Sequence, residues 1–141
     1  IINKINDLSL KRVILKDFVT GKEKEKIYYS SDIFILLSYS ENFGLSIAEA
    51  LSYMIPVITT TNTPWKKLNN KKCGWCIKLD NKIIINTIEK AFRLTRKQRL
   101  TMGQNGREWM IKDFSDSGIG LRMNAIYKKI LKKKSFKNKE L

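Results

Sequence analysis

The sequence predicts an α/β fold in which helices flank a parallel sheet. Apolar residues fill positions 33–37, as in a short strand that is buried on both faces. Ile47, Leu51 and Met54 then recur at helical spacing. A second apolar run begins with Pro56, which a strand tolerates at its first residue. A strand, a helix and a strand in this order indicate parallel strands joined by a crossover helix.

The region before this unit is expected to contribute elements of the same kind. Residues 13–19 predict a strand, and residues 22–30 predict a short charged helix with Ile27 and Tyr28 on its apolar face. Residues 32–38 then form the central strand.

The region after the second strand is expected to be mostly helical. Residues 63–65 open a short helix with proline in its first turn, and residues 77–79 form a strand. Two apolar stripes mark later helices: Ile84, Ile88, Ala91 and Phe92, and then Ile119, Met123, Ile126 and Ile130. Gly103 and Gly106 lie between these stripes, where close packing against a neighbour would offset the helix-weakening effect of glycine.

The composition is globular and strongly basic. The 141 residues are 43% hydrophobic and 29% charged, with a net charge of +15, which excludes a disordered chain. Part of the excess lies in the lysine-rich end, residues 127–141. An anionic membrane surface is one partner of such a segment, and an ordinary solvated surface is the favoured alternative. No nucleic-acid recognition motif and no apolar run of about 20 residues occurs, so we expect no specific nucleic-acid partner and a cytoplasmic location, with peripheral membrane association as the variant.

Cys73 and Cys76 have the spacing of a redox pair. A thioredoxin-type motif opens a helix, whereas the residues after Cys76 predict a strand. A zinc site needs two further ligands, and the chain has no histidine and no third cysteine. We therefore expect two small buried thiols and no metal.

The candidate site is the loop between the first buried strand and the helix that follows it. A helix that starts at the carboxyl end of a parallel strand points free N–H groups into the crevice where such sheets bind ligands. Glu41 precedes this helix and Glu49 lies within it, so both acids can approach one ligand. Two alternatives stay open: Ser46 and Glu49 also fit a capping box, and Glu41 also fits a solvated loop acid.

At this loop the chain resembles a known family. The run Glu-Asn-Phe-Gly-Leu-Ser-Ile-Ala-Glu-Ala-Leu begins at Glu41, and Ile-Pro-Val-Ile-Thr-Thr follows at residues 55–60. Together they resemble the donor-site signature of the retaining group 1 (family 4) glycosyltransferases, which have the GT-B fold. The resemblance implies a Rossmann-like parallel sheet flanked by helices, the partial C-terminal domain of a GT-B fold, over residues 1–131. It leaves residues 132–141 as a basic tail that is expected to be disordered.

The resemblance also implies roles for individual residues. Glu41 is the catalytic candidate, orienting the donor through hydroxyls of the transferred sugar, and a more direct role stays open. Glu49 would bind the ribose. Val19 would lie near the nucleotide base through backbone groups, with an ordinary turn as an equal alternative. The implied donor-binding residues are Asn42, Phe43, Gly44, Leu45, Ser46, Glu49 and Val19.

The implied reaction transfers a sugar, of the hexosyl type, from a nucleoside diphosphate to an acceptor hydroxyl with retention, as in polysaccharide or lipopolysaccharide biosynthesis. It needs no cofactor or metal beyond the donor. In the family, an arginine and a lysine that bind the diphosphate, and the N-terminal acceptor domain, precede the segment that matches this chain. The resemblance therefore implies that residues 1–141 alone transfer no sugar.

Two alternatives remain within the resemblance: a non-catalytic nucleotide-sugar binding remnant and a fragment of a GT-B sugar-nucleotide epimerase. The chain also departs from the family at two places. Met54 stands where the family usually has glycine at a helix end, and Lys66 with Lys67 stand where it commonly has acids. Trp65, just before these lysines, is expected to be a core anchor.

Overall fold

A computed structural model describes residues 2–120 together with Met123 and Lys128. The chain divides into two compact units, Ile1–Ser30 and Ser31–Leu141. The expected tail, residues 132–141, lies outside the described residues, as do Ile126 and Ile130 of the second stripe.

The first unit contains two helices and, among its described residues, no strand. Helix α1 spans Ile2–Asp7 and α2 spans Gly21–Ser30, with Tyr28 buried as expected. The strand prediction for residues 13–19 is wrong, since this segment has no regular structure and Ile14 and Phe18 are 82% and 94% exposed. A strand needs a neighbour for its backbone hydrogen bonds, and the described part of this unit offers none.

The second unit is built on a parallel sheet of three strands. The strands are β1 (Phe34–Leu36), β2 (Val57–Thr60) and β3 (Gly74–Ile77), in the order β1-β2-β3. Phe34 pairs with Val57, and Val57 pairs with Gly74. The predicted α/β class is confirmed, but in the described sheet β2 is central and residues 32–38 supply an edge strand.

Burial explains why β2 takes the central position. All four of its residues are buried, whereas Ile35 of β1 is 40% exposed. A strand that pairs on both sides and is covered on both faces buries all of its side chains. In β2 two of these buried side chains are threonines, whose hydroxyls need hydrogen-bond partners. Thr59 Oγ1 donates to the Leu36 carbonyl at 2.8 Å, so its hydroxyl is satisfied inside the core.

The described residues of the second unit also form the helices α3 (Leu45–Ser52), α4 (Asn81–Phe92) and α5 (Arg96–Phe114). Residues 116–120 are also helical. Helix α4 buries Ala91 as predicted, but Phe92 is 72% exposed and does not belong to the packed stripe. Ile119 and Met123 are 45% and 44% exposed.

Two predicted elements take other forms. Residues 63–65 form a bend without regular structure and no helix. Trp65 is nevertheless buried, at 2% exposure, as the expected core anchor. The predicted strand at 77–79 begins earlier, at Gly74, and ends at Ile77. A Cβ atom on Gly74 would lie 2.1 Å from the Val57 carbonyl oxygen, so this strand pairs closely only because its first residue has no side chain.

The two glycines of α5 let this helix approach α3, as predicted. A Cβ atom on Gly103 would lie 2.0 Å from the Met54 carbonyl oxygen, and one on Gly106 would lie 2.9 Å from Leu51 Cδ2. Ile47, Ala50 and Leu51 form the buried face of α3. The fit between these two helices fixes α3 against the sheet.

Helix α3 ends in a Schellman motif that has a methionine at the left-handed position. Met54 has φ +62° and its N–H donates to the Leu51 carbonyl, while the Ile55 N–H donates to the Ala50 carbonyl. A side chain in this conformation costs about 1–2 kcal/mol. The departure of Met54 from the family pattern therefore leaves the backbone in the conformation that glycine usually adopts.

We expect Met54→Gly to unfold with a free energy about 1 kcal/mol higher than Met54→Ala, because both remove the same packing and only alanine keeps a Cβ atom at positive φ. Urea unfolding of the two variants measures the difference. An alanine variant as stable as the glycine variant would contradict the strain at Met54.

Candidate functional site

The candidate site lies at the start of α3, where the chain turns out of the sheet. Gly44 precedes the helix with φ +75° and ψ +61°, a conformation that favours glycine. A Cβ atom there would lie 3.2 Å from Ile47 Cδ1 and 3.3 Å from Trp65 Nε1. Both the backbone conformation and the space therefore require glycine at this position.

The capping-box alternative for Glu49 is wrong. Helix α3 begins at Leu45 with Gly44 as its N-cap and without a side-chain cap, so Glu49 lies beyond the third helical position that a capping box needs. Glu49 is half-buried on the second turn, three residues after Ser46. Residues spaced by three share a helix face, and this face differs from the packed face of Ile47, Ala50 and Leu51.

Glu41 is held in place by the end of β1. Ser38 Oγ donates a 2.7 Å hydrogen bond to Glu41 Oε1, and Glu41 is half-buried. The Ser38 carbonyl accepts from Thr60 Oγ1 at 2.5 Å. A carboxylate that already accepts one side-chain bond has a restricted orientation and keeps lone pairs for further hydroxyl donors.

Sequence reasoning missed Ser38 and Thr60. Ser38 follows β1 and Thr60 ends β2, so they lie together at the carboxyl ends of neighbouring parallel strands. Their signal is a polar residue that closes an apolar run. Its meaning depends on the pairing of two segments that are 22 residues apart, which a local pattern does not reveal.

An aromatic cluster packs against the loop that precedes α3. Trp65 Nε1 donates to the Phe43 carbonyl at 2.5 Å, and the two rings are 5.3 Å apart. The ring centroid of Phe114 lies 5.9 Å from that of Phe43 and 5.5 Å from that of Trp65. The ring centroids of Trp109 and Trp65 are 5.5 Å apart. Such ring pairs contribute beyond their buried area, and here they connect the loop to the end of α5.

The predicted site residues of the second unit lie in one continuous segment of the chain. Glu41, Asn42 and Phe43 form the loop, Gly44 caps the helix, and Leu45, Ser46 and Glu49 lie on its first two turns. Val19 is half-buried in the first unit, in a segment without regular structure. The binding roles of these residues stay predictions.

The two cysteines lack the properties of a redox pair. Burial raises the pKa of the Cys73 thiol to about 12 and also raises that of Cys76. Both are free thiols; Cys73 is buried and Cys76 half-buried. A reactive cysteine needs an accessible thiolate at neutral pH, and desolvation opposes its formation at both positions.

Metal and membrane-spanning features are absent from the described part of the chain. In residues 2–120, Met123 and Lys128, no three His, Cys, Asp or Glu side chains group as metal ligands. Within the same residues, no helix has both the length and the apolar composition to cross a bilayer.

The chain is similar in sequence to a known protein family and to two curated proteins. The family model Glycosyl transferases group 1 matches residues 1–109. The chain is 30% identical over 108 residues to the alpha-1,3/1,6-mannosyltransferase alg2 of Schizosaccharomyces pombe, covering 76% of the chain and 21% of that protein. It is 32% identical over 107 residues to the capsular polysaccharide biosynthesis glycosyltransferase CapM of Staphylococcus aureus, covering 74% of the chain and 28% of that protein.

A solved structure shares the fold. The sucrose-phosphate synthase of Thermosynechococcus elongatus superposes with a TM-score of 0.72 at 23% identity, over 92% of this chain and 33% of that one. The assignment to a GT-B fold is thereby confirmed. The chain spans only about a fifth to a quarter of the two curated relatives.

We expect Cys73 to resist alkylation by iodoacetamide at pH 8 in the folded protein, because its raised pKa keeps it protonated and burial excludes the reagent. Mass spectrometry measures the extent of alkylation of each cysteine. The variant Cys76→Ser reports on Cys73 alone, and Cys73→Ser reports on Cys76 alone. Addition of urea should release the block. Rapid labelling of Cys73 in the native state below pH 8 would contradict its burial as a protonated thiol.

Proposed function

The chain belongs to the glycosyl transferases group 1 family, and we propose that its second unit binds a nucleotide-diphosphate sugar at the start of α3. The observation that carries this proposal is the loop after β1, where Glu41 accepts a hydrogen bond from Ser38 and the left-handed Gly44 precedes the start of α3. That position is the general ligand site of open parallel sheets.

The amino end of α3 supplies the attraction for the donor's anionic part. Backbone N–H groups at a helix start, with the partial positive charge of the helix, favour phosphate and negatively polarised sugar oxygens. Leu45 and Ser46 then contribute the first N–H groups of the helix.

The two glutamates are proposed to orient the two ends of the donor. The Ser38 hydrogen bond fixes the Glu41 carboxylate, which then accepts bonds from hydroxyls of the transferred sugar. Glu49, one turn into the helix, accepts bonds from the two ribose hydroxyls. Charge-assisted bonds of this kind contribute about 1.5–3 kcal/mol each.

In the complete enzyme, we propose, the sugar passes to an acceptor hydroxyl with retention at the anomeric carbon. Negative charge develops on the leaving diphosphate, and fixed dipoles aimed at it lower the barrier. The donor carries its own leaving group, so no further cofactor is needed. The names of the mannosyl and capsular-polysaccharide relatives support a hexosyl donor and a role in polysaccharide biosynthesis, with lipopolysaccharide biosynthesis as the proposed alternative. The remaining proposed partners are an N-terminal acceptor domain and, for the basic end of the chain, an anionic membrane surface on the cytoplasmic side.

Calorimetric titration of the full chain with UDP-, GDP- and ADP-glucose tests donor binding. We expect one of the three to bind, and Glu49→Ala to weaken that binding about tenfold or more through the loss of charge-assisted bonds. Glu89→Ala is the matched control, since Glu89 is exposed and pairs with Arg93 at 3.8 Å on α4.

Thermal unfolding of each variant separates binding from folding, and Glu49→Gln repeats the test with the side-chain shape retained. Absence of binding by all three donors, or equal binding by the Glu49 and Glu89 variants, would overturn the proposed site.

A further inference from the structure

We propose that Lys66 is a further donor-binding residue that binds an anionic group of the donor, either the diphosphate or a carboxylate on the transferred sugar. This inference rests on the proposed donor site and adds to it a cation on a separate loop, between β2 and β3. No motif pointed to Lys66 as a ligand.

The β2–β3 loop is tied to the candidate site directly before Lys66. Thr63 Oγ1 donates to the Thr60 carbonyl at 2.9 Å, so the chain turns immediately after the carboxyl end of β2. Trp65 is buried, and its indole N–H donates a 2.5 Å hydrogen bond to the Phe43 carbonyl in the loop before α3. Lys66 is covalently adjacent to this anchor, which places its backbone at the same edge of the sheet as Glu41.

The loop is also fixed on its other side, against β3. Asn69 Oδ1 accepts from the Cys76 N–H at 2.7 Å, and Leu68 is fully buried. Cys76 Sγ in turn donates to the Thr60 carbonyl at 3.5 Å. Burial raises the pKa of Cys76, and the positive charge of Lys66 opposes that shift, so the ammonium lies near enough to Cys76 for the two groups to interact.

Lys66 lies in the loop that connects β2 to β3, whereas Glu41 lies in the loop that follows β1. Strands β1 and β3 flank β2, and neighbouring strands are about 4.8 Å apart. An extended donor lying along the carboxyl edge can therefore contact the β1 side with its sugar or ribose and the β3 side with a charged group.

The charge of Lys66 is available for such a contact. Its side chain is exposed, and no carboxylate of the described residues lies within ion-pair distance of it. Glu41 brings negative charge to a site meant for an anionic donor, so a cation at the same edge offsets the repulsion. A lysine ammonium is a mobile point charge that suits phosphate and carboxylate alike.

The experiment compares the full chain with Lys66→Gln, Lys66→Arg and Lys67→Gln by calorimetric titration with UDP, UDP-glucose and UDP-glucuronate, or with the GDP or ADP counterparts if the preceding titration selects another base. Lys67→Gln removes the same charge one residue further along the loop. Thermal unfolding checks that each variant is folded.

We expect Lys66→Gln to weaken binding about tenfold or more, Lys66→Arg to retain most of it, and Lys67→Gln to stay within about twofold of the unmodified chain. A loss seen already with UDP assigns Lys66 to the diphosphate, and a loss confined to UDP-glucuronate assigns it to the sugar carboxylate. Either pattern supports the inference.

Equal binding by Lys66→Gln and the unmodified chain would overturn it, as would equal losses in the Lys66 and Lys67 variants, which indicate a general field. If Glu49→Ala weakens binding while Lys66→Gln does not, the donor site stands and only the role of Lys66 fails. If the unmodified chain binds no donor, both proposals fail together.

Discussion

The hydrogen bond from the Trp65 indole to the Phe43 carbonyl holds the candidate site together. A buried indole N–H must find an acceptor, and in this fold the acceptor belongs to the loop that carries Glu41 and Gly44. One contact therefore connects the segment after β1 with the segment after β2. The geometry of the loop is therefore set by the burial of a large apolar ring together with the left-handed conformation of Gly44.

The amino end of α3 is fixed from a second direction by helix packing. Gly103 and Gly106 allow α5 to approach Met54 and Leu51 at distances that no side chain would permit. Helix α3 therefore packs between α5 and the sheet, where it contacts β2, whose residues are all buried. The packing of α3 in the core thus fixes the backbone position of the candidate site residues on its first turns. A group that orients a ligand needs such a rigid support.

The parts of the fold that sequence reasoning anticipated are those encoded locally. Helix α3, strand β2 and the close approach at Gly103 each follow from periodicity or from one residue type with one physical property. The failures are non-local: residues 13–19 have strand composition but no described neighbour with which to pair, and residues 32–38 took an edge because residues 74–77 pair on the far side of β2. A site role for Ser38 or Lys66 does not follow from the sequence for the same reason, since the surroundings of both residues come from segments distant in the chain. Lys66 stands out in the sequence only as a departure from the family pattern.

The aromatic cluster has an optical consequence. Two indole rings whose centroids are 5.5 Å apart, at an interplanar angle of 80°, couple their electronic transitions, and fixed chiral packing makes that coupling visible in the near-ultraviolet circular dichroism of a folded protein. Because Trp65 also donates to the loop of the candidate site, a ligand that shifts this loop will change the sign pattern or intensity of the band. The chain thus carries an intrinsic spectroscopic probe next to the candidate site.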